Sequence, residues 1–291
     1  MNMKPTSDKQ TDSAPGRDKA SAGFAALDSA GFPDFAPGSV WLVGAGPGAP
    51  GLLTLLGFHA LVRADVIVYD ALVNDGILQW ARRDAVIEFA GKRGGKPSSK
   101  QQDISLRLVE LARENKRVLR LKGGDPLTFG RGGEECQALA RAGIPFRIVP
   151  GITAGVGGLA YAGIPTTHRD TNHSVLFLTG HDATGDVPAG VDWEKVACAS
   201  PVIVMYMAVR NLPKIAKALL RHGRDGAEPV AVISNASLPE QSLHVTTLAA
   251  ARDNPTVTEL PTPALVVVGH VVDFHENLDW YVKALRENVL G

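Results

Sequence analysis

With 291 residues, 45% of them hydrophobic and 21% charged, the chain has the make-up of an ordinary globular protein and the length for two medium domains. Thirty basic residues balance thirty acidic ones, so no overall field draws it to nucleic acid or to a membrane surface. No apolar run approaches the ~20 residues that span a bilayer, and two cysteines, Cys136 and Cys198, make neither a disulfide framework nor a metal cluster. They read as buried thiols of a reducing cytoplasm.

Residues 1–38 are rich in Ser, Lys, Asp, Gly and Pro without helical or strand period, which predicts a disordered leader. They lack the apolar core of a secretory signal, and their aspartates count against a transit peptide. From Val40, runs rich in Val, Ile, Leu and aromatics at 40–43, 66–69, 86–90, 117–121 and 146–149 read as strands. Helical spacing fills the intervals at Leu52–Arg63, Asn74–Arg82, Gln101–Asn115 and Glu134–Arg141, with Ser99 capping the third and Gly143 stopping the fourth. Such a βαβ series predicts a mostly parallel sheet with helices on both faces. Pro150-Gly151 marks a hinge. Beyond it come a helix near 153–162, strands near 174–179, 202–206, 230–234, 242–246 and 264–268, and a helix from Asn211 to about His222. A last helix is expected over roughly 275–288. The expected organisation is a leader followed by two α/β domains, 39–150 and 151–291.

Three glycine loops follow strands. In the first, Gly44-Ala-Gly-Pro-Gly-Ala-Pro-Gly51, residues Gly46, Gly48 and Gly51 match a dinucleotide turn, and Asp70 lies about 20 residues on, where such a turn has its ribose-binding acid. That turn works by aiming backbone N–H groups at a pyrophosphate. Prolines at 47 and 50 remove two of those donors, which leaves an NAD-binding oxidoreductase the weaker reading. The second loop lies in Arg120-Leu-Lys-Gly-Gly-Asp-Pro-Leu-Thr-Phe-Gly-Arg-Gly-Gly-Glu-Glu135 and starts at the carboxyl end of a strand, where open α/β sheets bind ligands. Gly123 and Gly124 permit close approach, while Asp125 either meets a ligand or caps local N–H groups. The third is Pro150-Gly-Ile-Thr-Ala-Gly155. Three such loops beside a domain boundary predict a cleft. Between Lys92 and Arg131, eleven Lys and Arg stand against four Asp and Glu, which reads as a solvated face or as a cleft wall for an acidic small molecule.

These loops, together with Gly91-Lys-Arg93 and Thr167-His-Arg-Asp170, resemble the tetrapyrrole methylase family, whose members use S-adenosylmethionine. The likeness runs in order from about Val40 to about Val272. The GAGPG turn is shared across the family, whereas RLKGGDP…FGRGGEE followed by PGITA…YAGIP and THRD is similar to its uroporphyrinogen-III C-methylating branch. The resemblance implies two α/β domains with the cofactor in the cleft between them. It implies two methyl transfers, to C2 and then C7 of uroporphyrinogen III, giving precorrin-2 by way of precorrin-1 and feeding sirohaem or cobalamin. A later tetrapyrrole methylase of the cobalamin route is the alternative within the class, and a non-catalytic binder of this fold is another. The resemblance further implies a cytoplasmic homodimer with a small-molecule substrate, no metal, and no nucleic-acid or membrane partner. Bifunctional relatives carry a dehydrogenase–chelatase half that this chain has no room for, so no NAD activity is expected.

By the same resemblance Pro47, Gly123, Gly124, Asp125 and Thr128 line the cofactor pocket from the first half, and Thr153, Ala154, Met207 and Ala236 from the second. From the residues alone Met207 would be core and Asp70 a helix cap. Asp70 aligns with the family's proton acceptor and Lys92 with its proton donor, although Lys92 equally suits a substrate carboxylate. Arg93, Lys96, Arg131 and Arg169 are the candidates to meet the substrate's many carboxylates, since guanidinium pairs bidentately with carboxylate. His168 reads as a hydrogen-bonding loop residue. Thr128 departs from the larger apolar residues common at its position, and Ala49 from an acid.

Overall fold

Strands β1 (Val40–Gly44), β2 (Val66–Tyr69), β3 (Val86–Phe89), β4 (Val118–Lys122) and β5 (Phe146–Val149) build the first sheet in the order β3-β2-β4-β1-β5. Every pairing in it is parallel, so all five strands end at one edge. Strands β6 (Val175–Thr179), β7 (Val202–Tyr206), β8 (Pro229–Ser234), β9 (Ser242–Thr247) and β10 (Ala264–Val268) build the second, in the order β6-β7-β10-β8-β9. Here only β6 and β7 are parallel; β10 runs against both neighbours, and β8 and β9 form an antiparallel pair. The computed structural model describes residues 31–90, 101–182 and 184–281, and the described residues from Phe35 onward form one compact unit holding both sheets.

Alternation along each strand decides which helices cover it. On the first sheet Trp41, Val43, Ile67, Leu119 and Leu121 face helices α1 (Leu55–Leu61) and α2 (Asp75–Leu78). Val40, Leu42, Val66, Val68 and Val118 face α3 (Gln101–Arg113) and α4 (Gly132–Arg141), against Leu108 and Leu139. All five residues of β1 and of β4 are buried, as expected of central strands covered on both faces. The second sheet packs Leu159 of α5 (Ala154–Tyr161) against Val204, Ile233 and Leu265. Its other face meets α6 (Trp193–Ala199), α7 (Leu212–Arg221) and α8 (Leu248–Asp253) through Val196, Ile215, Leu219 and Ala251.

The expected strands are all present, with ends shifted by a residue or less. Several other expectations are corrected. Folded chain starts before Ser39: Phe35 is buried and stacks on Trp41, with ring centroids 4.7 Å apart, because an aromatic ring beside an apolar strand gains by leaving water. Residues 1–30 of the expected leader, and Ser99, lie outside the described residues. The first helix starts at Leu55, where the Thr54 hydroxyl accepts from Gly57 N at 3.0 Å, and α2 is a single turn capped by Asn74. The last expected helix is interrupted: α9 (His275–Leu278) stops at Asp279, helical backbone resumes at Trp280 and Tyr281, and the rest of the expected helix lies outside the described residues. Trp280 and Tyr281 pack edge-on against Tyr161, and Trp280 Nε1 donates to the Ala160 carbonyl at 2.9 Å. Helices α6 and α8, short elements capped by Asp192 and Thr247, were not anticipated. Cys136 is buried, with its thiol pushed up by burial, whereas Cys198 sits on the outer face of α6 and is exposed.

The three glycine loops meet where β1, β4 and β5 end. Gly46 and Gly124 pair as a small antiparallel bridge, Gly124 N donating to Gly46 O at 2.7 Å and Gly46 N to Gly124 O at 3.2 Å. A Cβ on Gly151 would stand 2.2 Å from Gly124 O and 2.6 Å from Gly44 Cα, and one on Gly44 would stand 2.5 Å from Gly124 O. The obstructing atoms are backbone, which has nowhere to go. Gly151→Ala is therefore expected to force the loops apart and to cost roughly 1–3 kcal/mol, the scale of overpacking. Urea denaturation of the variant checks it; an unchanged midpoint would mean the junction is loose.

Candidate active site

Contacts run from this edge into the second sheet, whose strands β6, β7 and β8 end facing it. Ala49 N donates to Ser237 Oγ at 2.9 Å, and Gly155 N to Tyr206 Oη at 2.8 Å. Tyr206 Oη also lies 2.6 Å from Thr153 Oγ1, and its ring packs on Phe129 with centroids 4.8 Å apart. Burial pushes the Tyr206 hydroxyl up from its ordinary range, so it stays a neutral hydrogen-bonding group. The backbone is held against its preference at this place. Phe129, Arg131, Met207, Asn235 and Ser237 all have φ between 51° and 65°, and Asn115 alone among the described non-glycine residues does so elsewhere. Strain of this kind, of order 1–3 kcal/mol per residue, persists only where surrounding contacts impose it, and it gathers at functional sites.

The structure brings the expected cofactor positions to one place. Pro47 faces Gly157, where a Cβ would stand 3.0 Å from Pro47 Cγ. Ala236 is buried beside Gly158. Met207 is 43% exposed, so it is a surface side chain rather than core. A Cβ on Gly124 would meet nothing nearer than Thr153 Cα at 3.9 Å, which leaves a cradle between Gly124 and the Thr153-Ala154 turn. Asp125 performs the capping that was one of the two readings of its carboxylate. Oδ1 accepts from Leu127 N, Thr128 N and Thr128 Oγ1, and Oδ2 accepts from Gly151 N at 3.1 Å. It caps its own turn and ties the second loop to the third, and the Thr128 hydroxyl is engaged in the same turn. Two of the first loop's donors are likewise occupied, Gly46 N by Gly124 O and Ala49 N by Ser237 Oγ, which leaves a pyrophosphate fewer of the groups it would need.

Asp70 follows β2 directly and caps no helix, since Asn74 does that. Register explains its surroundings. Val68 pairs with Arg120, so the next residue on that face, Asp70, comes beside Lys122. Arg120 Nη2 donates to Asp70 Oδ1 at 2.5 Å and Lys122 Nζ to Oδ2 at 3.4 Å. From α4, Glu135 Oε1 accepts from Arg120 Nε at 3.1 Å and from Lys122 Nζ at 3.3 Å. Arg120, Lys122 and Glu135 are buried, at 1%, 3% and 0% exposure, and the Asp70 side chain, at 31%, is the member open to solvent. Two cations and two anions balance, as buried charge requires. Counting charge along the chain missed this group. The signal was present: charged residues at 120 and 122, alternating with leucines in a strand expected to be buried on both faces, demand partners.

Among the described residues, part of the basic segment is paired with acids on folding. Arg107 pairs with Glu88 at 2.8 Å, Arg117 with Asp65 at 3.6 Å, and Arg131 with Glu134 at 2.6 Å, each with an acid outside the stretch counted. Arg131 holds Glu134 below the usual carboxylate range and is itself exposed. Arg169 is exposed on the loop that carries His168, whose backbone N donates to Asn172 Oδ1 at 2.9 Å. Lys92, Arg93 and Lys96 lie outside the described residues; the strand before them, β3, ends beside Tyr69, with Ala90 N donating to Tyr69 O at 2.8 Å.

A family model described as Tetrapyrrole (Corrin/Porphyrin) Methylases matches residues 39–252. The chain is 61% identical over 251 residues to a Sinorhizobium protein named uroporphyrinogen-III C-methyltransferase, covering 86% of this chain and 90% of that one. It is 51% identical over 244 residues to a Neisseria meningitidis sirohaem synthase, covering 84% of this chain and 50% of the relative, so it spans about half of that longer protein. Among solved structures, the uroporphyrin-III C-methyltransferase of Thermus thermophilus, complexed with S-adenosylhomocysteine, superposes with a TM-score of 0.71 at 38% identity, over 81% of this chain and 99% of that one. A family model over residues 39–252 and a relative 61% identical over most of both chains lead to one assignment: the chain belongs to the tetrapyrrole methylase family.

Proposed function

We propose that this protein is a uroporphyrinogen-III C-methyltransferase, moving methyl groups from S-adenosylmethionine to C2 and then C7 of the substrate to give precorrin-2. The observation that carries the reading is the meeting of the loops after β1, β4 and β5 with Thr153, Tyr206, Met207 and Ala236, at the place where the Gly124 cradle lies. The 61% identity to the Sinorhizobium protein favours this substrate within the family. On this reading residues 39–150 and 151–291 act as two α/β domains around one cleft. The homodimer and the cytoplasmic location belong to the same proposal and rest on the family resemblance. Among the described residues no helix is long and apolar enough to cross a membrane.

The residues present fit a cofactor with an apolar base and a charged amino-acid tail. Pro47 and the exposed Met207 offer apolar surface, Ala236 lies buried beside Gly158, Gly124 leaves space, and the backbones of Gly123, Thr153 and Ala154 lie at close range. S-adenosylmethionine supplies a methyl group already activated by its sulfonium charge, so the protein's task is alignment and proton handling. Asp70 takes the proton that a pyrrole carbon must lose after alkylation, its carboxylate held at the sheet edge by Arg120 and Lys122. In this proposal Lys92 is the proton donor. Arg93, Lys96, Arg131 and Arg169 receive substrate carboxylates, and Arg131 exchanges Glu134 for one of them.

Incubation with uroporphyrinogen III and methyl-labelled S-adenosylmethionine tests the activity directly; label appearing in no tetrapyrrole would remove the proposal. Asp70→Asn keeps the side chain's size and one acceptor for Arg120, so the variant should fold and bind S-adenosylhomocysteine almost as before. Its methyl transfer should fall by on the order of 10²–10⁴, the range for a positioned acid or base. Full activity in D70N would move the acceptor role to substrate or water. Arg131→Ala and Arg169→Ala should each weaken tetrapyrrole binding by about 1 kcal/mol, the upper end for exposed pairs, with S-adenosylhomocysteine affinity unchanged. Calorimetry with each ligand separates the two effects, and equal losses would make these arginines structural.

A further inference from the structure

We infer that Arg120 is a positioning residue for the methyl transfer: anchored by Glu135, it fixes the direction of the Asp70 carboxylate. The inference rests on the reading of Asp70 as proton acceptor. Its geometry is independent of that reading. Arg120 presents Nε to Glu135 Oε1 at 3.1 Å and Nη2 to Asp70 Oδ1 at 2.5 Å, so one rigid guanidinium plane spans from a wholly buried anion to one at the sheet edge. Lys122 offers a second, longer contact to the same two carboxylates, at 3.4 and 3.3 Å. Stability alone gives no reason to keep such a group, because buried ion pairs are commonly replaced by apolar side chains of similar volume at no loss. Here the pair would sit among Val68, Val118 and Leu139, an apolar environment ready to accept such a replacement. What an apolar pair cannot do is direct Asp70. With Arg120 gone, the carboxylate keeps only the flexible Lys122 ammonium and turns toward solvent. Among the described residues, the charged groups that face Asp70 from the packed elements are Arg120 and Lys122 on β4, with Glu135 on α4 behind them.

The experiment is a double-mutant cycle. R120M/E135M removes one positive and one negative charge together and leaves Lys122 and Asp70 balanced, so the variant should keep its thermal stability and its affinity for S-adenosylhomocysteine. Its KM for uroporphyrinogen III should change little while kcat falls on the order of 10²-fold, the scale of a misdirected catalytic group. Combined with D70N, the same pair of substitutions should cost nothing further, because nothing is left to position. Wild-type kcat in R120M/E135M alongside a slow D70N would overturn the positioning role and leave Asp70's role standing. An equal loss of kcat in the D70N background would also overturn it, since the pair would then act elsewhere. A fully active D70N would overturn both readings. Should R120M/E135M fail to bind S-adenosylhomocysteine, R120K carries the same cycle, keeping the charge but not the fork. It should lose kcat several-fold with KM held, and an R120K enzyme as fast as wild type would refute the role of the fork.

Discussion

Backbone touches backbone at Gly44, Gly124 and Gly151, with no space for a side chain at either end of the junction. The geometry of the whole sheet edge follows from that contact. Because β1 lies between β4 and β5, the loops leaving these three strands diverge unless their first residues are small enough to cross. Glycine at each crossing lets Asp125, one residue further on, reach Gly151 N and fasten two loops together. The third loop is thereby set so that Thr153 and Gly155 meet Tyr206 of the second sheet. A chain of short hydrogen bonds thus carries position from the centre of one sheet to the end of a strand in the other.

Charge is handled by the opposite device. Where the glycines bring main chains together, β4 carries two long cations into the interior and meets them with Glu135 from α4 and Asp70 from the end of β2. The arrangement depends on strand register, since a slip of one residue between β2 and β4 would put Arg120 and Lys122 on the face packed by α1 and α2. Parallel pairing with both faces buried makes such a slip prohibitive. The fold therefore presents the partly exposed Asp70 carboxylate at this sheet edge, with Arg120, Lys122 and Glu135 buried behind it. Strained backbone at Phe129, Arg131 and Met207 surrounds the same edge, where rigid loops favour a preorganised site.

The sites and the strands were legible from the chain to different depths. Pro47, Gly124, Thr153, Met207 and Ala236 were named from motif resemblance and do come together. The resemblance could not tell that Asp125 would hold Gly151 with its carboxylate, or that the Thr128 hydroxyl would be engaged by the same group. Local pattern foresaw the strands because each is a short run of aliphatic and β-branched residues, and β4, β5, β6 and β10 run straight into glycine or proline. It did not foresee the break at Asp279, since nothing local to that segment reveals that Trp280 and Tyr281 find Tyr161. It passed over α6 and α8, whose caps at Asp192 and Thr247 are plain but whose lengths, 7 and 6 residues, are too short to show a period.

Two kinds of information were thus divided between chain and fold. Composition, the short runs rich in Val, Ile and Leu and the glycine loops by themselves determined an α/β protein with parallel β-strands, because backbone preferences and side-chain hydrophobicity act over a few residues. The tertiary structure alone decided which charges are paired. Eleven cations between Lys92 and Arg131 look like a basic surface along the chain. Arg107, Arg117, Arg120, Lys122 and Arg131 instead pair with Glu88, Asp65, Asp70, Glu135 and Glu134. Coulomb attraction depends on distance in space, and strand order sets that distance where sequence separation does not.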